Sequence, residues 1–292
     1  MSHTTGVRFG ISTAPQQVTY HDILRVWREA DAIPQIEHAW LFDHLLPIVG
    51  DPNGPIFEGW TLLSALAAQT ERLRLGLMVT SNRFRPPAML AKIAATVDVV
   101  SGGRLEFGIG AGSRPDIPWA RREYDAHGLP YHDFAHSVAS LAEACTVIRR
   151  LWTSTDPFDF DGTHLQLSGA FCNPKPVQRP YPPVLIAGRS SAVLRVVAEH
   201  ADLWNIAGGD IDDCVRRSAL LDRFCAEIGR DPASITRSIV LHVSYDRPGG
   251  TRDAIAGAID SGFRHVVLAL PAPYPEDVAR WVTTELIDKS PS

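Results

Sequence analysis

The 292-residue chain is short of the features that mark several protein classes. It has four cysteines, Cys145, Cys172, Cys214 and Cys225, and no Cys-x-x-Cys pair, which argues against a zinc ribbon or a dithiol redox motif. Cys145 and Cys225 fall on apolar helical stripes, and all four read as core residues. His-x-His and His-Glu-x-x-His are absent, so no metal is expected. Basic charge is not in excess: 28 Lys and Arg against 33 Asp and Glu give a net charge of -5, unlike the basic footprint of a nucleic-acid-binding protein. The eleven histidines change this little near neutral pH. No apolar run is long enough to span a bilayer. The opening Met1-Ser-His-Thr-Thr-Gly6 lacks the basic segment and apolar run of a secretory signal. The expectation is a cytoplasmic protein without nucleic-acid or membrane partners.

What the chain does have is a steady alternation. Short β-branched runs at Val7–Ile11, Ala39–Phe42, Leu73–Val79, Leu105–Ile109, Val184–Ala187, Leu203–Ile206, Ile239–Val243 and Val266–Leu270 read as strands. Amphipathic stretches lie between them. Trp60, Leu63, Leu66, Ala67 and Thr70 share one helical face, and so do Met89, Leu90, Ile93, Ala94, Val97 and Val100. The second of these helices opens at Pro86-Pro87 and stops at Ser101-Gly102-Gly103, where glycine accepts the left-handed cap. Eight βα units favour an α/β fold of the (β/α)8 TIM-barrel type, an open doubly wound sheet being the alternative. We expect one domain over residues 1–292, with an insertion at roughly 113–183 lying over the barrel mouth. Within it, Ser113 to Asp133 reads as loop because Pro115 and Pro118 interrupt a regular helix. A helix at Ala135–Trp152, a hairpin at Phe158–Leu167 and an extended Asn173–Pro183 follow.

In such a barrel, chemistry collects where strands end. The second strand ends at Asp43-His44, an acid–base candidate; neighbouring strand residues point to opposite faces, so the two need not touch. His44 is otherwise a hydrogen-bonded structural histidine. His242 and His265 read as packing residues. Gly110-Ala111-Gly112-Ser113 and Ala187-Gly188-Arg189-Ser190 are glycine-rich turns. They either bring backbone N–H groups to a phosphate, the second with help from Arg189 and a following helix N-terminus, or merely permit tight turns.

Several segments, in this order, carry a family resemblance. They are Gly59–Gly76, Arg85-Pro-Pro-Ala-Met-Leu-Ala-Lys92, Ala94–Gly112, Asn173-Pro-Lys-Pro-Val-Gln178, Pro182-Pro-Val-Leu-Ile-Ala-Gly188 and Ala201-Asp-Leu-Trp-Asn205. The chain resembles the bacterial luciferase-like superfamily, on the branch of F420-dependent oxidoreductases. The resemblance implies hydride transfer between the deazaflavin coenzyme F420 and a small organic substrate, with Asp43 and His44 as catalytic residues. It also implies a ring lying across the strand ends near Met78, Val79 and Thr80, with a non-prolyl cis peptide at Met78-Val79. Gly110, Ala111, Gly112, Ser113, Ala187, Gly188, Arg189 and Ser190 would hold the cofactor tail, and Tyr124 would contact it. Two alternatives remain: an FMN-dependent monooxygenase fed by a partner flavin reductase, or a non-catalytic cofactor-binding barrel. Relatives of this kind are often homodimers. Ser113 stands where the sugar-phosphate dehydrogenase branch has a proton-donating glutamate, and Leu45-Leu46-Pro47-Ile48 lacks an expected aromatic. Sugar-phosphate oxidation is therefore disfavoured, and the loop from Ser113 to Trp119 is expected to shape a pocket of its own.

Overall fold

The computed structural model describes residues 6–114 and 116–290; Met1–Thr5 and Pro115, on which two of the readings above rest, lie outside them. β1 (Arg8–Ser12) leads to α1 (Tyr20–Asp31), which starts in a capping box: the Thr19 hydroxyl accepts from the Asp22 N–H, and the Asp22 carboxylate accepts from the Thr19 N–H. β2 (His38–Leu41) and α2 (Gly59–Ala67) follow. β3 (Arg74–Leu77) and β4 (Thr80–Ser81) are two pieces of one strand, parted at Met78 and Val79. Next come α3 (Pro87–Val100), β5 (Phe107–Gly110), α4 (Pro118–His127) and α5 (Phe134–Thr153). The expected hairpin is β6 (Phe158–Asp161) with β7 (Gln166–Ala170). The regular rhythm then resumes with β8 (Val184–Ala187), α6 (Ser191–His200), β9 (Leu203–Ala207) and α7 (Ile211–Glu227). β10 (Thr236–His242), α8 (Pro248–Asp260), β11 (His265–Ala269) and α9 (Val278–Val282) complete it.

The main sheet runs β3-β2-β1-β11-β10-β9-β8-β5-β4, with parallel neighbours throughout. Its two ends are halves of the same strand, and Leu75 bridges Leu105 across the remaining gap. The sheet therefore closes on itself as a (β/α)8 barrel. No helix among the described residues is long and apolar enough to cross a membrane.

The barrel interior is filled in tiers. Trp40, Leu185, Leu203 and Val267 form a buried middle tier, with Met78, Val79, Ala187 and Val240 packed against it. Trp40 fits because Gly76 faces it: a Cβ there would lie 2.6 Å from the indole ring and 2.3 Å from the Glu106 carbonyl oxygen. Below that tier lies a polar floor. His38 and His265 stack with ring centroids 3.8 Å apart, and Glu106 pairs with Arg8 at 2.9 Å and Arg74 at 2.5 Å.

Two expectations are corrected. The stretch read as loop contains α4, which starts at Pro118. Proline at the first helical position gives up an N–H that would be unbonded anyway, and Gly128, left-handed at φ 63°, ends the helix. His242 does not pack but lies exposed at the end of β10, whereas His265 is fully buried. The four cysteines are buried and free, as expected; burial pushes the Cys145 thiol up to about 12.

Candidate active site

A cavity of about 720 Å³ opens at the C-terminal ends of the strands. Its lining includes Asp43 and His44 after β2, Met78, Val79 and Thr80 between β3 and β4, Gly110 through Arg114 after β5, and Ala187 through Ser190 after β8. Phe42 and Phe134 add aromatic walls. Of the residues expected at the site, Tyr124 alone is missing from this lining. It is fully buried on α4, where its hydroxyl donates to the Ser113 carbonyl at 2.7 Å and so holds the Ser113 turn from behind.

Asp43 and His44, adjacent in sequence, look in different directions. The Asp43 carboxylate is buried and gripped at both oxygens by the Arg85 guanidinium, at 2.6 and 3.0 Å, and it also accepts from the Thr80 hydroxyl. Arg85 pairs with Glu58 as well, and the Glu58 carboxylate caps α2 through the N–H groups of Trp60 and Thr61. Burial alone would lower the Arg85 pKa, but Asp43 and Glu58 outweigh it and hold it above its ordinary value. With its oxygens so engaged, Asp43 serves to fix the strand end. Bidentate guanidinium–carboxylate pairing is a rigid geometry suited to that task.

His44 instead meets Glu123. Its Nδ1 lies 3.1 and 3.2 Å from the two Glu123 oxygens, and the same carboxylate accepts from the N–H of Leu45 at 2.5 Å and of Leu46 at 3.3 Å. Glu123 is 1% exposed at its side chain and His44 17%. The His44 ring is flanked edge-on by Trp119, with centroids 5.1 Å apart, and by Phe42 and Phe84. With Nδ1 engaged, Nε2 is the ring atom left for the cavity.

The opposite wall is shaped by the break in the strand. The Met78-Val79 peptide is cis, at the position the resemblance implied. Gly110 faces it, and a Cβ at that residue would come within 2.9 Å of the Val79 side chain, so the glycine is required by close approach. At the far end, Ser190 caps α6 by accepting from the Val193 N–H, and the Trp204 indole donates to the Gly188 carbonyl at 2.8 Å. The exposed Arg189 donates to the Ala207 carbonyl at 3.1 Å. The helix N-terminus, the Ser190 hydroxyl and the Arg189 guanidinium together form the cationic end of the cavity.

Sequence reading missed Arg85, Glu58 and Glu123 as parts of this constellation. Glu123 and Trp119 are four residues apart, hence on one face of α4. A proline at the first position and a glycine after the last could have marked that helix.

Residues 2–271 match the model of a family described as luciferase-like monooxygenase. An uncharacterized protein of Mycobacterium tuberculosis is 33% identical over 221 residues, which is 75% of this chain and 70% of that protein. A phthiodiolone/phenolphthiodiolone dimycocerosates ketoreductase of a Mycobacterium species is 30% identical over 70% of this chain; the match spans about half, 52%, of the ketoreductase. Among solved structures, an F420-dependent secondary alcohol dehydrogenase with an F420-acetone adduct superposes at a TM-score of 0.86, 18% identical, covering 99% of this chain and 100% of that one. The oxygenating constituent of 3,6-diketocamphane monooxygenase from Pseudomonas putida, in complex with FMN, reaches 0.72 at 15% identity, covering 98% of each chain. At such identities the two structures speak for the fold, and the family match for kinship. The chain belongs to the luciferase-like monooxygenase family.

Proposed function

We propose that this enzyme moves a hydride between coenzyme F420 and a small organic substrate, with His44 handling the accompanying proton. The observation that carries the reading is His44 itself: a cavity-lining imidazole held on Nδ1 by buried Glu123, with Nε2 engaged by no hydrogen bond among the described residues. A histidine so held can accept or deliver a proton near neutral pH.

The cavity suits a planar cofactor with an anionic tail. Its size falls in the usual range of about 300–1,000 Å³ for ligand sites. Val79, Ala111 and Ala187 offer an apolar bed for a ring, and the α6 N-terminus with Arg189 and Ser190 offers donors to a phosphate. A bound deazaflavin supplies two-electron hydride chemistry and reacts poorly with oxygen, which leaves the protein to position and shield it. Proton exchange at His44 Nε2 would balance a hydride gained or lost at the substrate carbon bearing oxygen. The ketoreductase named for one relative acts in the same chemical class.

The test is a titration of the protein with F420 and with FMN, each followed by its fluorescence. Saturable F420 binding, with loss of the oxidised deazaflavin spectrum on adding a secondary alcohol, is the expected result. Tight FMN binding without F420 affinity would overturn the reading in favour of a monooxygenase with a partner flavin reductase. We also infer a homodimer, because the outer faces of α2 and α3 leave Ala65, Met89, Val99 and Val100 exposed; sedimentation equilibrium as a monomer would exclude it.

A further inference from the structure

We propose that Glu123 is a positioning residue that sets the tautomer of His44, keeping the proton on Nδ1 and leaving Nε2 free to take a proton from substrate. The proposal rests on the reading of His44 as the proton carrier and names the group that makes it competent.

A carboxylate can accept hydrogen bonds and cannot donate them. Both oxygens of Glu123 lie within 3.2 Å of His44 Nδ1, so Nδ1 carries a hydrogen toward them. In the neutral ring this leaves Nε2 with its lone pair. The oxygens are not free to swing away, because Oε1 also receives the Leu45 and Leu46 N–H groups, at the first two peptide units after His44. The carboxylate therefore fixes the imidazole and the backbone that carries it as one unit. The aromatic rings beside it, Phe42, Phe84 and Trp119, offer Nδ1 no competing acceptor, and among the described residues Nδ1 has no hydrogen-bond partner besides Glu123.

Both contacts come from one helix. Trp119 and Glu123 are one turn apart on α4, whose buried residues are Ala120, Glu123 and Tyr124. Ser113 and Ile48 occupy the positions where a glutamate and an aromatic residue were expected from the resemblance. In this chain α4 brings one of each to His44 from another direction. The glutamate meets His44 Nδ1 and is not part of the cavity lining, so it acts through His44 and not on the substrate itself.

The geometry makes Glu123→Gln a sharp probe. The two backbone N–H groups hold the oxygen of the new amide at the Oε1 position, and this leaves the amide NH2 beside Nδ1. The nearer contact of Nδ1 is then a donor, which favours Nδ1 as acceptor with the proton on Nε2. The variant is isosteric, but its histidine points a hydrogen where a lone pair was needed. Long-range 1H–15N correlation of the imidazoles in the cofactor-free protein reads the tautomer directly, with His44 assigned by its loss in His44→Asn. The expected result is the Nδ1-H form in the native protein and the Nε2-H form in Glu123→Gln. Turnover should fall about 10²-fold with KM little changed, the pattern of a misplaced proton on a catalytic histidine. Glu123→Asp, still an acceptor, should keep the native tautomer and recover part of the rate. An Nε2-H tautomer in the native protein would overturn the proposal even if Glu123→Gln failed to fold, and so would an unchanged tautomer in a folded Glu123→Gln. Because this readout uses no cofactor, failure of the hydride-transfer reading would show in the F420 titration and leave the tautomer result standing.

Discussion

His265 and His44 each stand beside a buried glutamate, at opposite ends of one barrel. At the floor, Glu106 is tied to Arg8 and Arg74, and the His265 Nε2 lies 3.5 Å from it. The other His265 nitrogen bonds Ser238, which in turn accepts from Asn205. His38 accepts from the Trp40 indole at 2.8 Å, and both floor rings are fully buried. At the mouth, the Glu123 carboxylate pairs with no arginine among the described residues. It holds an imidazole and two backbone N–H groups, while the nearby arginine charge is spent on Asp43 and Glu58. Similar residue types thus serve two purposes, and the difference lies in access. The floor's His38, His265 and Glu106 are buried among the strands they hold together, whereas His44 lines the cavity.

Four changes would break or sharpen that contrast. The largest effect is expected at the floor. Glu106→Ala leaves the part-buried Arg74 without its carboxylate and Arg8 with Glu37 alone, and should cost about 2–3 kcal/mol of stability in urea unfolding. A loss below about 1 kcal/mol would show that the floor is not the clasp described here. At the mouth, His44→Asn should do the reverse: turnover falls about 10²–10³-fold while stability and cofactor affinity stay near native values. Retained turnover would remove His44 from the chemistry.

Acid should then weaken the floor. Burial, as the main cause, holds His38 well below and His265 below the usual imidazole range, and burial with Arg149 and Arg230 pushes His200 down to about 4. In the unfolded chain these groups take up protons near pH 6.5. The unfolded state therefore binds more protons below that pH, and the stability these groups contribute near pH 7 is lost progressively as pH falls. Burial works to raise the Glu106 pKa, but His265, Arg8 and Arg74 hold it well below the usual carboxylate range, so its own share is lost only in stronger acid. The melting temperature should fall between pH 7 and pH 5, and less steeply in His265→Asn; a flat profile would contradict this. The smallest effect is expected at the cavity's cationic end. Arg189→Ala should weaken cofactor binding by about fivefold to tenfold, because an exposed guanidinium contributes only about 1 kcal/mol to an ion pair. Unchanged affinity would take Arg189 out of the site.

Much of the fold was legible because it is written locally. Val184–Ala187 and Leu203–Ile206 announce themselves as β-branched or apolar runs, and the face of α2 follows from the spacing of Trp60, Leu63, Leu66 and Ala67. The strand-end rule then led to most of the cavity lining. What escaped was long-range pairing. Asp43 and Arg85 are 42 residues apart and His44 and Glu123 are 79 apart, and no periodicity links either pair. Strand alternation did foresee that Asp43 and His44 need not touch, but it could not name the partner that each finds. The floor was hidden for the same reason: His38 and His265 lie on β2 and β11 and Glu106 just before β5, and closing the barrel brings them together.

Helix α4 also bears on how this enzyme can change over generations. Its inward face holds two rims of the cavity at once, through Glu123 on the β2 side and Tyr124 on the β5 side, while Arg121, Asp125 and Ala126 look outward. Variation at the outward positions costs the protein little. Variation at Trp119, whose ring meets His44 edge-on, alters the surroundings of that imidazole without touching either anchor. Change there reaches the imidazole while both anchors of the helix and the barrel beneath stay as they are.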